Sequence, residues 1–342
     1  MMTRSRPLRW RPVLAIAGIG LFAMLAACTP SAPTATAAQQ QAPMVLPAGA
    51  VPSTAVPTPW PKPCTNALGA HLSGNLLETI RKRGYLKAGV DQNTYLWGYL
   101  DRTTNPASFQ GFDIDMIYLV DKAIFPTHTP KVHFVVVPNA SRQEAVTYTD
   151  KPESDPSKVD IVAETMTINC ERLAQVSFSS VYYLAHQKIL VSNGSPIKTV
   201  KDLAGKTVCA PAKSTSLKRL DQLSTELPSP IHTWAAVNET DCLVMLQQGQ
   251  VDAFSTDDTI LAGMAVQDPN LKILEPALEN EPYGLAISKD ETRFTAFVDK
   301  VIATAERDHM WATDFEMSVK RFATKFPTPQ LPSPIFSYQP TS

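Results

Sequence analysis

Residues 160–183 read DIVAETMTINCERLAQVSFSSVYY, and the order of residue types along them decides what kind of chain this is. Ile161, Val162 and Ala163 form the short apolar run of a strand buried in a parallel sheet. Thr165, Thr167 and Asn169 then bring small hydrogen-bonding groups at alternate positions, so polar groups collect at one end of that strand. Glu171 and Arg172 follow at once. A guanidinium within a few residues of two threonine hydroxyls suits a carboxylate, which its planar fork grips through two parallel hydrogen bonds. The same residue types also suit a surface loop with a solvated arginine, and this stretch alone does not choose. Strand alternation points Glu164 away from the face that carries Thr165.

Outward toward the N-terminus, Arg4, Arg6, Arg9 and Arg11 form a basic head before the apolar run 13–27, which is short for a membrane span. Leu25-Ala26-Ala27-Cys28 closes the run in the pattern of a lipobox. Residues 1–27 therefore read as a lipoprotein signal peptide, with Cys28 the lipidated mature N-terminus. A plain secretory signal is the alternative, and either one sends the mature chain outside the cytoplasm. Residues 28–73 are rich in Pro, Ala and Thr with hardly a charge, the composition of an extended, disordered tether. Cys64, Cys170, Cys209 and Cys242 remain, an even number suited to an oxidising compartment, without the C-x-x-C spacing of a metal site. Four cysteines allow three connectivities. The 342 residues have room for two domains, and a net charge of -1 with acids and bases mixed argues against nucleic acid as a partner.

Periodicity predicts a helix from Leu76 that ends at Gly84, a strand over 85–90 and a loop over 91–100 at that strand's carboxyl end, where ligands bind in open α/β sheets. A helix over 112–124 turns Phe112, Met116, Leu119 and Val120 inward, and a strand covers 132–137. The Pro-, Asp- and Lys-rich segment 149–158 reads as a solvated surface loop. Strands follow near 189–191, 207–210, 232–237 and 251–255, with helices over 200–204, from 217 and over 241–248. Asp258 stands before an apolar run as a helix N-cap. Helices near 293–305 and 313–322 precede a Pro-rich tail, 327–342, read as disordered.

Taken together, several segments resemble the bacterial extracellular solute-binding proteins of the polar amino-acid type, family 3. T-M-T-I-x-x-E-R at 165–172, F-S-x-x-Y-Y at 178–183, Gly111-Phe-Asp-Ile-Asp115, the run 195–208, Gly249-Gln-Val-Asp-Ala253, Thr256-Asp-Asp-Thr-Ile-Leu-Ala-Gly263 and Tyr283-Gly284 occur in the family's order across 76–326. Within the family the chain is similar to actinobacterial, mycobacterial-type glutamine/glutamate-binding lipoproteins.

The resemblance implies an α/β fold of the periplasmic-binding-protein-like type II. Two lobes, each with a central mostly parallel sheet, are joined by a two-strand hinge, with 74–185 plus 285–326 as lobe 1 and 186–284 as lobe 2. It implies that Arg172, Thr165 and Thr167 hold an amino acid's α-carboxylate and Asp257 its ammonium. Arg142, in a partial match to an S-x-x-R of acidic amino-acid binders, would face the side chain with Ser214 and Thr215, and Lys213 would add positive charge. Glutamate or aspartate is then expected over glutamine. Glu239 stands where some relatives carry a histidine. The expected disulfides are Cys209–Cys242, both in the second lobe, and Cys64–Cys170. The implied partner is an ABC permease or a membrane sensor, reached by a lipid-anchored monomer that needs no metal or cofactor. An enzyme such as a cyclohexadienyl dehydratase-like lyase is the alternative. Its acid or base would be Glu164 or Glu239, since no G-x-S-x-G, H-E-x-x-H or P-loop occurs.

Overall fold

The computed structural model describes residues 72–320, apart from 128, 148–151 and 153–154. The signal peptide, Cys28, Cys64 and the C-terminal tail lie outside the described residues, as does much of the 149–158 segment. The chain opens with α1 (Leu76–Arg83), β1 (Leu86–Val90), β2 (Asn93–Thr94), β3 (Gly98–Asp101), β4 (Ser108–Gln110) and α2 (Phe112–Ile124). Next come β5 (Val132–Val136), α3 (Arg142–Thr147), β6 (Ile161–Ala163), α4 (Cys170–Leu173) and β7 (Val176–Phe178). β8 (Tyr183–Ser192) then leads to β9 (Thr207–Pro211), α5 (Thr215–Glu226), β10 (His232–Ala236), α6 (Glu239–Gln247), β11 (Ala253–Asp257) and α7 (Asp258–Gln267). The chain returns through β12 (Leu271–Tyr283) and β13 (Ala286–Ser288) to α8 (Thr292–Arg307) and α9 (Met310–Phe315).

These strands make two five-stranded sheets, ordered β5-β1-β6-β13-β7 and β10-β9-β11-β8-β12. Each has one reversed strand, β13 in the first and β8 in the second, antiparallel to both neighbours. The reversed strands are the ones by which the chain arrives from the other sheet, so the mostly parallel order is interrupted where the lobes are joined. The join itself is the pairing of β8 with β12, from Tyr183 opposite Tyr283 to Gln187 opposite Glu279. The fold is thus the two-lobed α/β arrangement expected from the sequence.

Three expectations are corrected. Residues 91–100 are not a plain loop: β2, β3 and β4 form a small antiparallel sheet, too short in each strand for a period to be read. α6 begins at Glu239 rather than at 241, because Asp241 is its third residue and reaches back to accept the Asn238 N–H at 3.1 Å. At the C-terminal end, α9 stops at Phe315 and a π-helical turn, Glu316–Lys320, follows.

The small sheet matters because its turn feeds Trp97 into the join. The Trp97 ring packs edge-on against Tyr183 at 4.7 Å, Phe112 at 5.6 Å and Tyr283 at 5.8 Å between centroids. Such pairs each contribute about 0.5–1.5 kcal/mol beyond the area they bury. Two glycines of the motifs make this possible. Gly111 has φ 120°, and a Cβ there would stand 2.3 Å from the Trp97 carbonyl oxygen. Gly263, on α7, lets the Tyr95 carbonyl approach so closely that an added Cβ would lie 2.5 Å from its oxygen. Gly263→Ala therefore pushes the β2–β3 arm of one lobe off the helix of the other. Overpacking of this kind costs about 1–3 kcal/mol, and scanning calorimetry is expected to show a melting temperature lower by about 2–4 °C for each kcal/mol.

Candidate functional site

β6 ends at Ala163, and Thr165 takes a left-handed conformation with φ 42°. What holds it there is Asp113 of α2, whose Oδ2 accepts the Thr165 N–H at 2.8 Å while Oδ1 accepts the Tyr182 hydroxyl at 2.6 Å. Burial lifts the Asp113 pKa to about 6 against the pull of those two donors. The chain then runs beside the end of β12, with the Ile168 N–H on the Pro282 carbonyl at 2.7 Å and Thr167 bridged to Tyr283. Asn169 caps α4 by accepting the Arg172 N–H at 2.9 Å, so Arg172 sits in the first turn of a short helix aimed at the cleft. Its guanidinium is 5% exposed and donates to the Thr167 carbonyl at 2.7 Å. Burial and the nearby Arg142 depress its pKa to about 9, with Glu281, Asp257 and Glu171 opposing.

Glu164, which alternation points away from the face of Thr165, is not among the residues that border the cavity beside Thr165. Glu164 is buried among the cleft charges, and its pKa is driven well up by desolvation, with Asp91, Glu239 and Asp113 adding to the rise and Arg142 opposing it. Arg142 is buried too: Nε donates to the Asn139 carbonyl at 3.0 Å and Nη1 to the Glu164 carbonyl at 2.8 Å. Asn139 reaches across to the second lobe, where its Nδ2 donates to the Ala212 carbonyl at 3.0 Å.

From the second lobe come the turn after β9 and the end of β11. Ser214 caps α5, its Oγ accepting the Leu217 N–H at 3.0 Å and donating to the Pro211 carbonyl at 2.7 Å. Thr215 donates to Glu281 Oε2 at 3.0 Å. Lys213 has a 67% exposed side chain at the cleft mouth, with Nζ 3.9 Å from Glu144 and 3.5 Å from the Ala140 carbonyl. Asp257 is 4% exposed; Oδ2 accepts the Tyr283 hydroxyl at 2.6 Å and Oδ1 lies 3.5 Å from Ser216 Oγ. Desolvation lifts its pKa to about 6, Asp258 adds to this, and Tyr283, Arg142 and Arg172 oppose it. Asp258 is not the N-cap, a position taken by Asp257. Its carboxylate turns instead to β8, where it accepts the His186 N–H at 3.1 Å and lies 4.0 Å from the buried Lys188 Nζ.

A narrow cavity of ≈ 10 Å³ is bordered by Arg142, Thr165 and Thr167 from one lobe and by Ser214, Thr215, Glu239 and Asp257 from the other. Arg172 borders the groove beside it, and Ser214 and Thr215 border both. The structure thus brings together the sequence-predicted residues, with Lys213 outermost. Sequence reasoning missed Ser216, Tyr283 and above all Glu281. Glu281 is fully buried on β12 with its pKa driven well up by desolvation and by Asp257, against a hydrogen bond from Thr167 and the charge of Arg172. The signal that could have found it is period two: Glu281 and Tyr283 lie on one face of the returning strand.

The raised carboxyls set a pH dependence of folding. Asp113 and Asp257 titrate near 6, and Asp115 and Glu239 near 7, all pushed up first by burial, against about 4 in an unfolded chain. Over that interval the folded protein holds more protons, so these groups contribute most below about pH 4 and the contribution is lost as pH rises through 6 to 7. The ligand-free protein is expected to melt at a higher temperature at pH 5 than at pH 8 in scanning calorimetry.

Cys209 and Cys242 form the expected disulfide between β9 and α6. Cys170 is also disulfide-bonded.

A glutamine-binding protein of Geobacillus stearothermophilus is 34% identical over 221 residues, 64% of this chain and 79% of that protein. A glutamate/aspartate import solute-binding protein of Salmonella typhimurium is 26% identical over 242 residues, 70% of this chain and 77% of that one. Among solved structures, a cysteine-binding protein from Campylobacter jejuni superposes with a TM-score of 0.64 at 24% identity, covering 75% of this chain and 96% of that one, a likeness of fold. The family model for bacterial extracellular solute-binding proteins, family 3, matches residues 86–316. With more than half its length matched and the two-lobed fold to go with it, the chain belongs to that family.

Proposed function

We propose that this chain closes on a single polar α-amino acid of the glutamine, glutamate and aspartate group and presents it to a membrane partner, performing no chemistry on it. The observation that carries the reading is a buried cation and a buried anion from opposite lobes, Arg172 and Asp257, beside the shared Ser214–Thr215 turn. Arg172 with Thr165 and Thr167 takes the α-carboxylate, and Asp257, steadied by Tyr283, takes the ammonium. Arg142, Ser214 and Thr215 border the side chain, and Lys213 guards the mouth. Each charge is desolvated before a ligand arrives, so a zwitterion offsets both penalties at once. Binding names on both curated relatives support transport over catalysis.

Family 3 members are extracytoplasmic, which agrees with reading 1–27 as a signal peptide. In our reading Cys28 carries a lipid, 28–73 is the tether, 74–185 plus 285–326 and 186–284 are the lobes, Cys64 pairs with Cys170, and an ABC permease or a sensor receives the closed form. Cys28→Ser is expected to move the protein from the membrane fraction to the soluble one after cell breakage.

The test is a thermal-shift screen of the twenty amino acids. A true ligand at 100 times its dissociation constant stabilises by about 2.7 kcal/mol, about 5–10 °C for a protein of this size. A flat screen across all twenty would sink the proposal.

A further inference from the structure

Of the acids that the amino-acid grip leaves unused, Glu239 stands on the cavity wall, with Glu164 and Asp91 buried within reach of its charge. Glu239 opens α6 in the second lobe and borders the cavity. Glu164 leaves β6 in the first lobe, and Asp91 follows β1. All three are more than nine-tenths buried. Glu164 lies within reach of the charges of Asp91 and Glu239, and Glu239 within reach of Asp91 and Asp257.

Arg142 is the cation among them, and two of its N–H groups are committed to backbone carbonyls. The acceptors are less well served. Asp91 has donors on both oxygens, the Gln92 N–H at 2.7 Å and the Thr94 hydroxyl at 2.5 Å. Glu164 Oε2 is buried without a hydrogen-bond partner. Lys213 does not redress the balance, since its ammonium stays at the exposed mouth beside Glu144. Nor is the cluster built for a metal: among the described residues no group of three His, Cys, Asp or Glu side chains is arranged to hold one.

A ligand side chain ending in a carboxylate would be set against Glu239 on the cavity wall, in a low dielectric where like charges repel strongly. A side chain carrying N–H donors would instead meet a carboxyl able to accept them. We propose that Glu239 determines specificity, and that the subsite takes a carboxamide or a cationic side chain in preference to a carboxylate. This rests on the amino-acid-binding reading above and reverses the preference for an acid that Arg142 and Lys213 suggested in the sequence.

Calorimetry of the full chain in detergent at pH 7.5, with glutamine, arginine, glutamate and aspartate as separate probes, tests it. Glutamine or arginine is expected to bind at least tenfold more tightly than either acid, and the two arms tell amide from cation. Glu239→Gln keeps the shape and removes the charge, and is expected to shrink that ratio at least tenfold by strengthening glutamate binding. Should that variant not fold, the order of the four ligands on the unaltered protein still decides. An acid that outbinds both nitrogen-bearing ligands, or a ratio unmoved in a folded variant, overturns the inference while leaving amino-acid binding intact. Failure of all twenty amino acids to bind would remove both.

Discussion

Arg172→Ala is expected to weaken amino-acid binding by about 30- to 5,000-fold, the binding equivalent of the 2–5 kcal/mol lost when one partner of a buried charge pair is truncated. The size follows from where the guanidinium sits. It is already stripped of water, with a pKa brought down to about 9 by burial and by Arg142. A ligand carboxylate therefore meets a cation with no hydration shell to displace. The ligand-free protein should lose far less, because the variant also removes a desolvated charge that repels Arg142. Arg172→Lys keeps the charge but not the planar fork, so its affinity falls between the two. Calorimetry for binding and a thermal melt without ligand separate these effects; equal losses in both would mean that Arg172 holds the fold rather than the ligand.

Asp257→Asn is expected to cost at least a hundredfold in affinity and to change how binding responds to acid. With a pKa near 6 in the ligand-free protein, Asp257 is ionised at pH 8 and mostly protonated at pH 5. An ammonium ligand selects the ionised form, so binding at pH 5 must first drive off a proton and weakens by about tenfold. The asparagine variant has no such proton, and its affinity should change less over that range, leaving only the response of Glu239. Tyr283 is part of the same device, because its hydroxyl at 2.6 Å favours the charged carboxylate. A wild-type affinity that does not decline in acid would remove Asp257 from the ammonium site.

How legible these groups were in the sequence depended on how local their causes are. Arg172 and its capping residue Asn169 are three positions apart, and the helix that aims the guanidinium is wired within that span. The turn that follows Glu164 could not be read locally because it is set by a residue 52 positions away: Asp113 holds Thr165 in the left-handed region, and strand alternation stops there. Asp257 and Asp258 are both good caps by residue type. What separates them is the arrival of β8, whose His186 and Lys188 draw the second carboxylate away. Glu281 was hidden because no strand was expected over 271–283, where the pairing of β12 with β8 shifts register between Leu274 and Glu279. The small sheet at β2–β4 left no trace, its strands being two to four residues long.

The bond between Cys209 and Cys242 has a practical consequence for anyone handling this molecule. Cys242 lies in the first turn of α6, three residues after Glu239, and is clamped to the sheet beneath it. Material produced in a reducing cytosol, or assayed with thiols in the buffer, would lack that clamp. It would report a weaker and less selective grip than the oxidised form.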